Sequence, residues 1–220
     1  MKGLQEQTDA GTIYLAVKHH SICHESKTEQ EGHHPVVVEN PRSKEKMTKY
    51  IKSYKCVEAL ICKIEWYERE HDGTIYRGWQ LFLDANGVPC VLDLPFNSRA
   101  GNRFMKLAEH LDFTQPVEFS AWYDKKNDAT AFNVKQNGES ISQKYTKDQP
   151  GDCPQPTQNK LGKWNFDAQE EFLLERMENY VIPAVEEVGN PMPTLEHALA
   201  TSVGGSVPIQ PEPDEDEIPF

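Results

Sequence analysis

The sequence predicts a mainly β protein, and three observations carry that prediction. Residues 74–84 alternate apolar with polar side chains, the period of a strand with one buried face. Asp72-Gly73 and Asn86-Gly87 bracket that stretch, and both dipeptides supply the positive φ of tight hairpin turns. Between residues 54 and 136 only one helical periodicity interrupts the strand-like runs. It places Phe104, Leu107, Ala108 and Leu111 on one face at i, i+3, i+4 and i+7.

In chain order, residues 12–24 read as a strand, with Ile13, Leu15 and Val17 alternating against Tyr14, Ala16 and Lys18. Val36-Val37-Val38 is a short strand that Pro41 stops, and residues 42–53 read as a loop or extended arm. A regular series follows. Residues 54–69 form a first strand, 74–84 a second and 88–94 a third, with Pro89 marking an edge or a bulge. Asn97-Ser98 caps a helix through about His110. Residues 117–124 and 129–136 are the fourth and fifth strands, joined by the turn Lys125-Lys126-Asn127-Asp128, and 140–145 offers a sixth. Three strands, a helix and two strands is the order of the OB barrel. The expected architecture is therefore a five-stranded OB-fold barrel with one helix between strands 3 and 4. N-terminal extra strands, a C-terminal helix and a disordered acidic tail complete it.

The rest of the chain divides by composition. Residues 148–163 are a polar linker, and Asp167 is expected to cap a helix through about Val188 that Pro183 kinks. Its apolar face (Phe172, Leu173, Met177, Tyr180, Val181, Val185) needs a surface, either its own domain or a second subunit. Pro, Gly, Thr and Ser dominate from Gly189 onward, with room for one helical turn at 195–200. The expected units are 1–147, an OB domain with its N-terminal extension; 148–190, linker and helix; and 191–220, a disordered linker with an acidic tip.

Composition narrows the function classes. Apolar residues make up 37% and the mean hydropathy is −0.70, so part of the chain packs no core. No apolar run approaches the ~18 residues of a membrane span. The first seven residues lack the apolar stretch of a signal peptide, so a soluble cytoplasmic protein is expected. The five cysteines are odd in number and show no CxxC spacing, which reads as free thiols in a reducing compartment. His19, His20, Cys23, His24, His33 and His34 are residue types that suit zinc, but their spacing fits no compact motif, and no metal is predicted. There is no P-loop, HExxH, GxSxG or paired catalytic carboxylate, so neither an enzyme nor a cofactor is expected.

Charge is the more informative quantity. The net charge of −12 and the pI near 5.1 argue against a nucleic-acid binder only if the charge is evenly spread. From Pro191 to Phe220 there are six acids and no Lys or Arg, half of the net charge. From Arg42 to Lys144 there are 16 bases and 14 acids, a slight positive excess. Six of those bases lie between Arg42 and Lys55.

The chain ends Glu212-Pro213-Asp214-Glu215-Asp216-Glu217-Ile218-Pro219-Phe220. An acidic run closed by Ile218-Pro219-Phe220 resembles the C-terminal tip of bacterial single-stranded DNA-binding proteins. Some phage-encoded members also end in acids plus an aromatic. Chance yields a terminal Ile-Pro-Phe on the order of once in 10⁴ chains. The resemblance spans about nine residues and the plan of body, linker and tip. It implies a docking peptide that recruits replication, recombination or repair proteins. The physics agrees: Phe220 offers a ring and a nearby carboxylate to an apolar pocket beside a base. Asp214 to Glu217 add a salt-sensitive attraction, and the sum is binding of about micromolar order.

A body that coats single strands needs positive charge for phosphates and flat rings for bases. Aromatics and bases adjoin at Lys49, Tyr50 and Lys52; at Tyr54 and Lys55; at Tyr76, Arg77 and Trp79; and at Trp122, Tyr123, Lys125 and Lys126. Alternation in 74–84 assigns Ile75, Trp79, Leu81 and Leu83 to the core and Tyr76 and Phe82 to a ligand-facing platform. Arg77 on the apolar face hints at a bulge. In 117–124, Val117, Phe119, Ala121 and Tyr123 face inward, and Trp122 is the foremost stacking residue. For each ring core packing competes with stacking, and the basic run 42–55 has two readings, solvated surface or a cover over bound strand. The body matches no bacterial single-stranded DNA-binding domain closely, so no binding residue is carried over. The expected function is sequence-independent coating of single-stranded DNA with partner recruitment through the tip. The alternative is an adaptor or decoy whose body binds no DNA and whose tip captures host replication proteins.

Overall fold

The computed structural model describes residues 11–39, 44, 46–71 and 73–193. The protein is mainly β. Its strands are β1 (Ile13–Lys18), β2 (Ser21–Ser26), β3 (His34–Glu39), β4 (Lys46–Tyr54), β5 (Cys56–His71), β6 (Thr74–Ala85) and β7 (Val88–Pro95). Helix α1 (Arg99–Leu107) and a 3₁₀ turn (Ala108–His110) follow. Then come β8 (Val117–Asp124), β9 (Ala129–Gln136) and the short β10 (Glu139–Ser140), and a separate two-stranded hairpin of β11 (Thr157–Gln158) and β12 (Trp164–Asn165). Helix α2 (Asp167–Arg176), a π-helical turn (Met177–Val181) and α3 (Ile182–Val188) close the described chain.

Ten strands form one open sheet in the order β10-β9-β8-β5-β6-β7-β1-β2-β4-β3. The β1–β7 ladder is parallel, with Ile13 opposite Cys90, and the others are antiparallel. This is a larger and more open sheet than a five-stranded barrel. Closing a barrel of β5 to β9 needs a ladder between β7 and β9, and among the described residues β1 occupies that side of β7 instead. The β1–β2 turn still meets β8 and β9 through side chains. At the β1–β2 turn the His20 ring lies 4.5 Å from the Tyr123 ring, and its Nδ1 is 3.1 Å from Thr130 Oγ1.

Several expected elements change. Residues 12–24 are two strands, because His19 and His20 both take positive φ (50° and 60°) and reverse the chain without a Gly or Asn to announce it. The segment read as a loop or arm is largely β4, hydrogen-bonded to β2 on one side and β3 on the other. Pro89 sits in the sheet interior, one residue before the β1 ladder begins at Cys90, so its missing N–H costs no bond to β1. The expected sixth strand at 140–145 shrinks to β10. Strand β5 is long and bent: 56–59 pair with β8, 60–71 with β6, and the register breaks between Ile61 and Lys63.

The main core cluster lies on one face of the sheet, although Cys23 and Val91, on the opposite parity of β2 and β7, are buried too. Trp79, Leu81 and Leu83 of β6 are fully buried with Leu15, Ile22, Leu92 and Leu94. Trp66 packs edge-to-face on both Trp79 and Phe96. Ser98 caps α1 as expected, its Oγ accepting the Gly101 N–H at 2.9 Å. Position 101 requires glycine, since a Cβ there would sit 2.4 Å from the Pro95 carbonyl oxygen.

The C-terminal helix packs on its own body and buries Leu173, Met177, Val181 and Val185. Asp167 does not cap it. Asn165 Oδ1 accepts the Asp167 N–H at 2.8 Å instead. The α-helix is interrupted by the π turn immediately before Ile182-Pro183, where Pro183 is expected to kink or interrupt it. Gly189, left-handed at φ 63°, ends the helix, and Asn190 donates to the carbonyls of Ile61 and Phe113.

The buried Glu109 ties this helix to the sheet domain by accepting from Arg176, Lys144 Nζ (2.7 Å) and the Tyr145 hydroxyl (2.7 Å). Burial pushes its carboxyl up, but these donors outweigh burial and bring the pKa from 4.5 down to about 2. The stabilisation is therefore fully present above pH 4.5 and is lost as pH falls toward 2. Breaking a buried pair costs about 3–5 kcal/mol. Lys144 and Arg176 are partly solvated, so Glu109→Gln is expected to lose on the order of 2–3 kcal/mol. It should also flatten the acid limb of the stability curve between pH 4.5 and 2, as read by urea melts. A variant equal to wild type at pH 7 would refute this.

The expected linker and tip at 191–220, the helical turn at 195–200 and the basic residue Arg42 fall outside the described residues, apart from 191–193. Among the described residues no helix is long and apolar enough to cross a membrane.

Candidate nucleic-acid interface

The β6 alternation predicts its two faces well, with corrections at one end. Tyr76 is 51% exposed and Phe82 is half-buried on the face away from the core, as expected. Ile75 is not core: it is 53% exposed, because the β5–β6 hairpin outruns the body beyond the Trp66–Trp79 pair. Arg77 needs no bulge in β6. It lies on the same overhang, where its Nε donates to Glu68 Oε2 at 2.7 Å.

The outer face of this hairpin gathers more than the sequence reading assigned. Across the ladder, Arg69 stands opposite Tyr76, Tyr67 opposite Gly78 and Lys63 opposite Phe82. The Arg69 guanidinium is 5.0 Å from the Tyr67 ring centre, and Lys63 Nζ is 5.8 Å from that of Phe82. Lys63, Tyr67 and Arg69 were legible in one way only. The two-residue connection between His71 and Thr74 sets the register of the hairpin as far as Lys63, and counting back from it pairs 69 with 76 and 63 with 82.

Gly78 lets the Tyr67 ring lie across β6. A Cβ at 78 would come 2.7 Å from the Tyr67 hydroxyl and 2.8 Å from the Leu94 carbonyl oxygen. Beside them, burial pushes the Asp93 carboxyl up from its usual range, against the opposing pull of the Tyr67 hydroxyl and the Lys18 and Arg69 charges. Burial, with Asp93 adding to it, also raises the Tyr67 phenol. Gly78→Ala is expected to cost about 1–3 kcal/mol through overpacking, a Tm several degrees lower in a thermal melt. An unchanged Tm would mean that the Tyr67 ring moves aside freely.

On β8, Val117, Phe119 and Ala121 enter the core as expected, and Trp122 stands out at 48% exposure. Tyr123 is not buried. It lies past the end of the core, holds the His20 ring and donates to Asp128 Oδ1 at 2.7 Å. Lys125 and Lys126 are exposed in the β8–β9 turn and form no ion pair among the described residues.

The β4 group is scattered. Tyr54 is core, 6% exposed, paired with Ile22, and it lines an apolar cavity of about 220 Å³ with Leu15, Val57 and Cys90. Lys49 is held by Glu25 at 2.8 Å. Burial pushes the Glu25 carboxyl up, but Lys49 and Lys18 outweigh it and lower the pKa below the usual value. Tyr50 is half-buried opposite Ser26 and Pro35, Lys52 Nζ lies 5.7 Å from the Tyr54 ring, and Lys55 is exposed between β4 and β5. In sheet order β4 stands four strands from β6, and β8 stands two strands away on the opposite side. The predicted residues therefore sit on three strands that are not neighbours in the sheet order, β4, β6 and β8 with its following turn.

The histidines also part company. His20 packs on Tyr123, His24 on His33, and His19 lies 3.5 Å from Glu25. Among the described residues no three His, Cys, Asp or Glu side chains form a group able to hold a metal ion. Cys23, Cys62, Cys90 and Cys153 are buried free thiols, and Cys56 is an exposed one. Burial raises the Cys23 thiol to about 11 and the Cys90 thiol to about 12, far from a reactive thiolate.

The fold and this surface define a mainly β protein with one large sheet and exposed aromatic and cationic residues on β6, β8 and the β8–β9 turn. No protein-family model, no curated protein and no solved structure matches the chain.

Proposed function

We propose that this protein binds single-stranded DNA without sequence specificity through its sheet body and recruits replication, recombination or repair proteins through its acidic tip. The ending Asp214-Glu215-Asp216-Glu217-Ile218-Pro219-Phe220 carries this reading, because solubility alone accounts for the acids but not for the apolar aromatic close. Exposed Tyr76 and Trp122, with the unpaired Lys125 and Lys126, support the DNA half. The succession β9-β8-β5-β6-β7 with α1 between β7 and β8 supports an OB-type origin for the body, in which β1 has taken the closing position beside β7. On this reading the protein works in a bacterial cytoplasm, as a bacterial or phage product.

One observation favours the adaptor or decoy instead. Many body cations are already paired with carboxylates, among them Lys49 with Glu25, Arg77 with Glu68, Lys135 with Glu118 and Lys144 with Glu109. A fluorescence titration of the full chain with dT oligonucleotides of increasing length separates the two. Binding at low salt that weakens with added salt supports the coating protein. No binding at low salt leaves the adaptor.

A further inference from the structure

The segment read from sequence as the end of a polar linker folds into the β11–β12 hairpin, and this hairpin holds apolar side chains out in water. Leu161 is 83% exposed, Trp164 59% and Phe166 44%. A lone exposed apolar residue needs no explanation, but three within six residues do. The turn that presents them is well built. Asn159 Oδ1 accepts the N–H groups of Leu161 (2.9 Å) and Lys163 (3.0 Å). The Gly162 N–H donates to the Asn159 carbonyl, and the Asn159 N–H donates to the Lys163 carbonyl, both at 2.9 Å. Gln158 Nε2 reaches the Gly162 carbonyl at 2.7 Å, and Gly162 supplies the left-handed residue at φ 74°. These bonds hold Trp164 and Leu161 in place without giving them a core to enter.

Charge says what this hairpin suits. From Thr157 to Phe166 there are two bases, Lys160 and Lys163, both exposed, and no acid, in a chain whose net charge is −12. A protruding ring on a hairpin with two exposed lysines that form no ion pair among the described residues fits a flexible polyanion with flat faces. We infer that the β11–β12 hairpin is a second contact for single-stranded nucleic acid, with Trp164 stacking on a base and Lys160 and Lys163 meeting flanking phosphates. This rests on the DNA-binding reading above and adds a site to it. A second copy of the chain is the less favoured occupant, because a like-charged hairpin tip would have to meet its equal.

The test uses the full-length protein, long dT oligonucleotides and two variants, Trp164→Ala and the double Lys160→Ala/Lys163→Ala. Circular dichroism checks that each retains its fold. Trp164→Ala is expected to weaken binding by about 5- to 100-fold, the range of one lost base stack. The double variant should lower the slope of log affinity against log salt by about 1.4, at about 0.7 per phosphate contact on single strands. Wild-type affinity and salt slope in both variants would overturn the inference while leaving the DNA-binding reading intact. Unchanged DNA binding with an altered sedimentation mass would overturn it in favour of self-association. Failure of the wild-type protein to bind any oligonucleotide at low salt would remove the DNA-binding reading and the hairpin site with it.

Discussion

Removal of residues 212–220 is expected to leave affinity for dT oligonucleotides equal or tighter and to abolish capture of replication and repair proteins. The nine residues carry five of the chain's acids and its most distinctive apolar group, Phe220. Burying a Phe side chain supplies about 1.5–3 kcal/mol, so Phe220→Ala alone should remove most partner affinity while keeping every charge. On the proposed reading the acids compete with phosphate for the same cations, so their loss is expected not to weaken DNA binding electrostatically. Fluorescence anisotropy with oligonucleotides and co-sedimentation with purified bacterial replication and repair proteins read the two effects separately. Clearly weaker DNA binding after the deletion would reject competition between tail and strand. Retained partner capture by Phe220→Ala would reject the docking tip.

Tyr76→Ala and Trp122→Ala are each expected to reduce affinity for dT oligonucleotides by about 5- to 100-fold, and Lys125→Ala/Lys126→Ala to flatten the salt dependence. Both rings are half in solvent on strands whose opposite faces are core, so their removal leaves little cavity and the fold should survive. The two positions lie on β6 and β8, with β5 between them. Loss of affinity in only one variant would identify which part of the outer face carries the strand. Loss in neither would remove the sheet face from the site. Arg77→Ala serves as the internal contrast: with Glu68 already beside it, it should change DNA affinity far less than Tyr76→Ala.

Local rules were legible where one residue type decides. Asp72-Gly73 and Asn86-Gly87 set the β5–β6 and β6–β7 hairpins, and the period of two sorted Trp79, Leu81 and Leu83 from Tyr76 and Phe82. Alternation fails at the ends of strands, where a face has a period but no neighbour. Ile75 and Tyr123 keep the inward parity and stay exposed because the core stops before them. Tyr54 erred the other way. Its basic surroundings in sequence read as surface, yet its side chain faces Ile22 in the sheet interior.

By itself the sequence determined the β character of the chain, its tight turns, the Ser98-capped helix, the division of charge and the Ile218-Pro219-Phe220 ending. Each is a property of a few adjacent residues. Only the tertiary structure decided that β1 runs parallel beside β7, that the sheet stays open, that the C-terminal helix belongs to the body and that Trp164 stands in solvent. Those outcomes depend on which surfaces meet across long stretches of chain. Pairing partners and burial are set by the packing of the whole sheet, which no local period encodes.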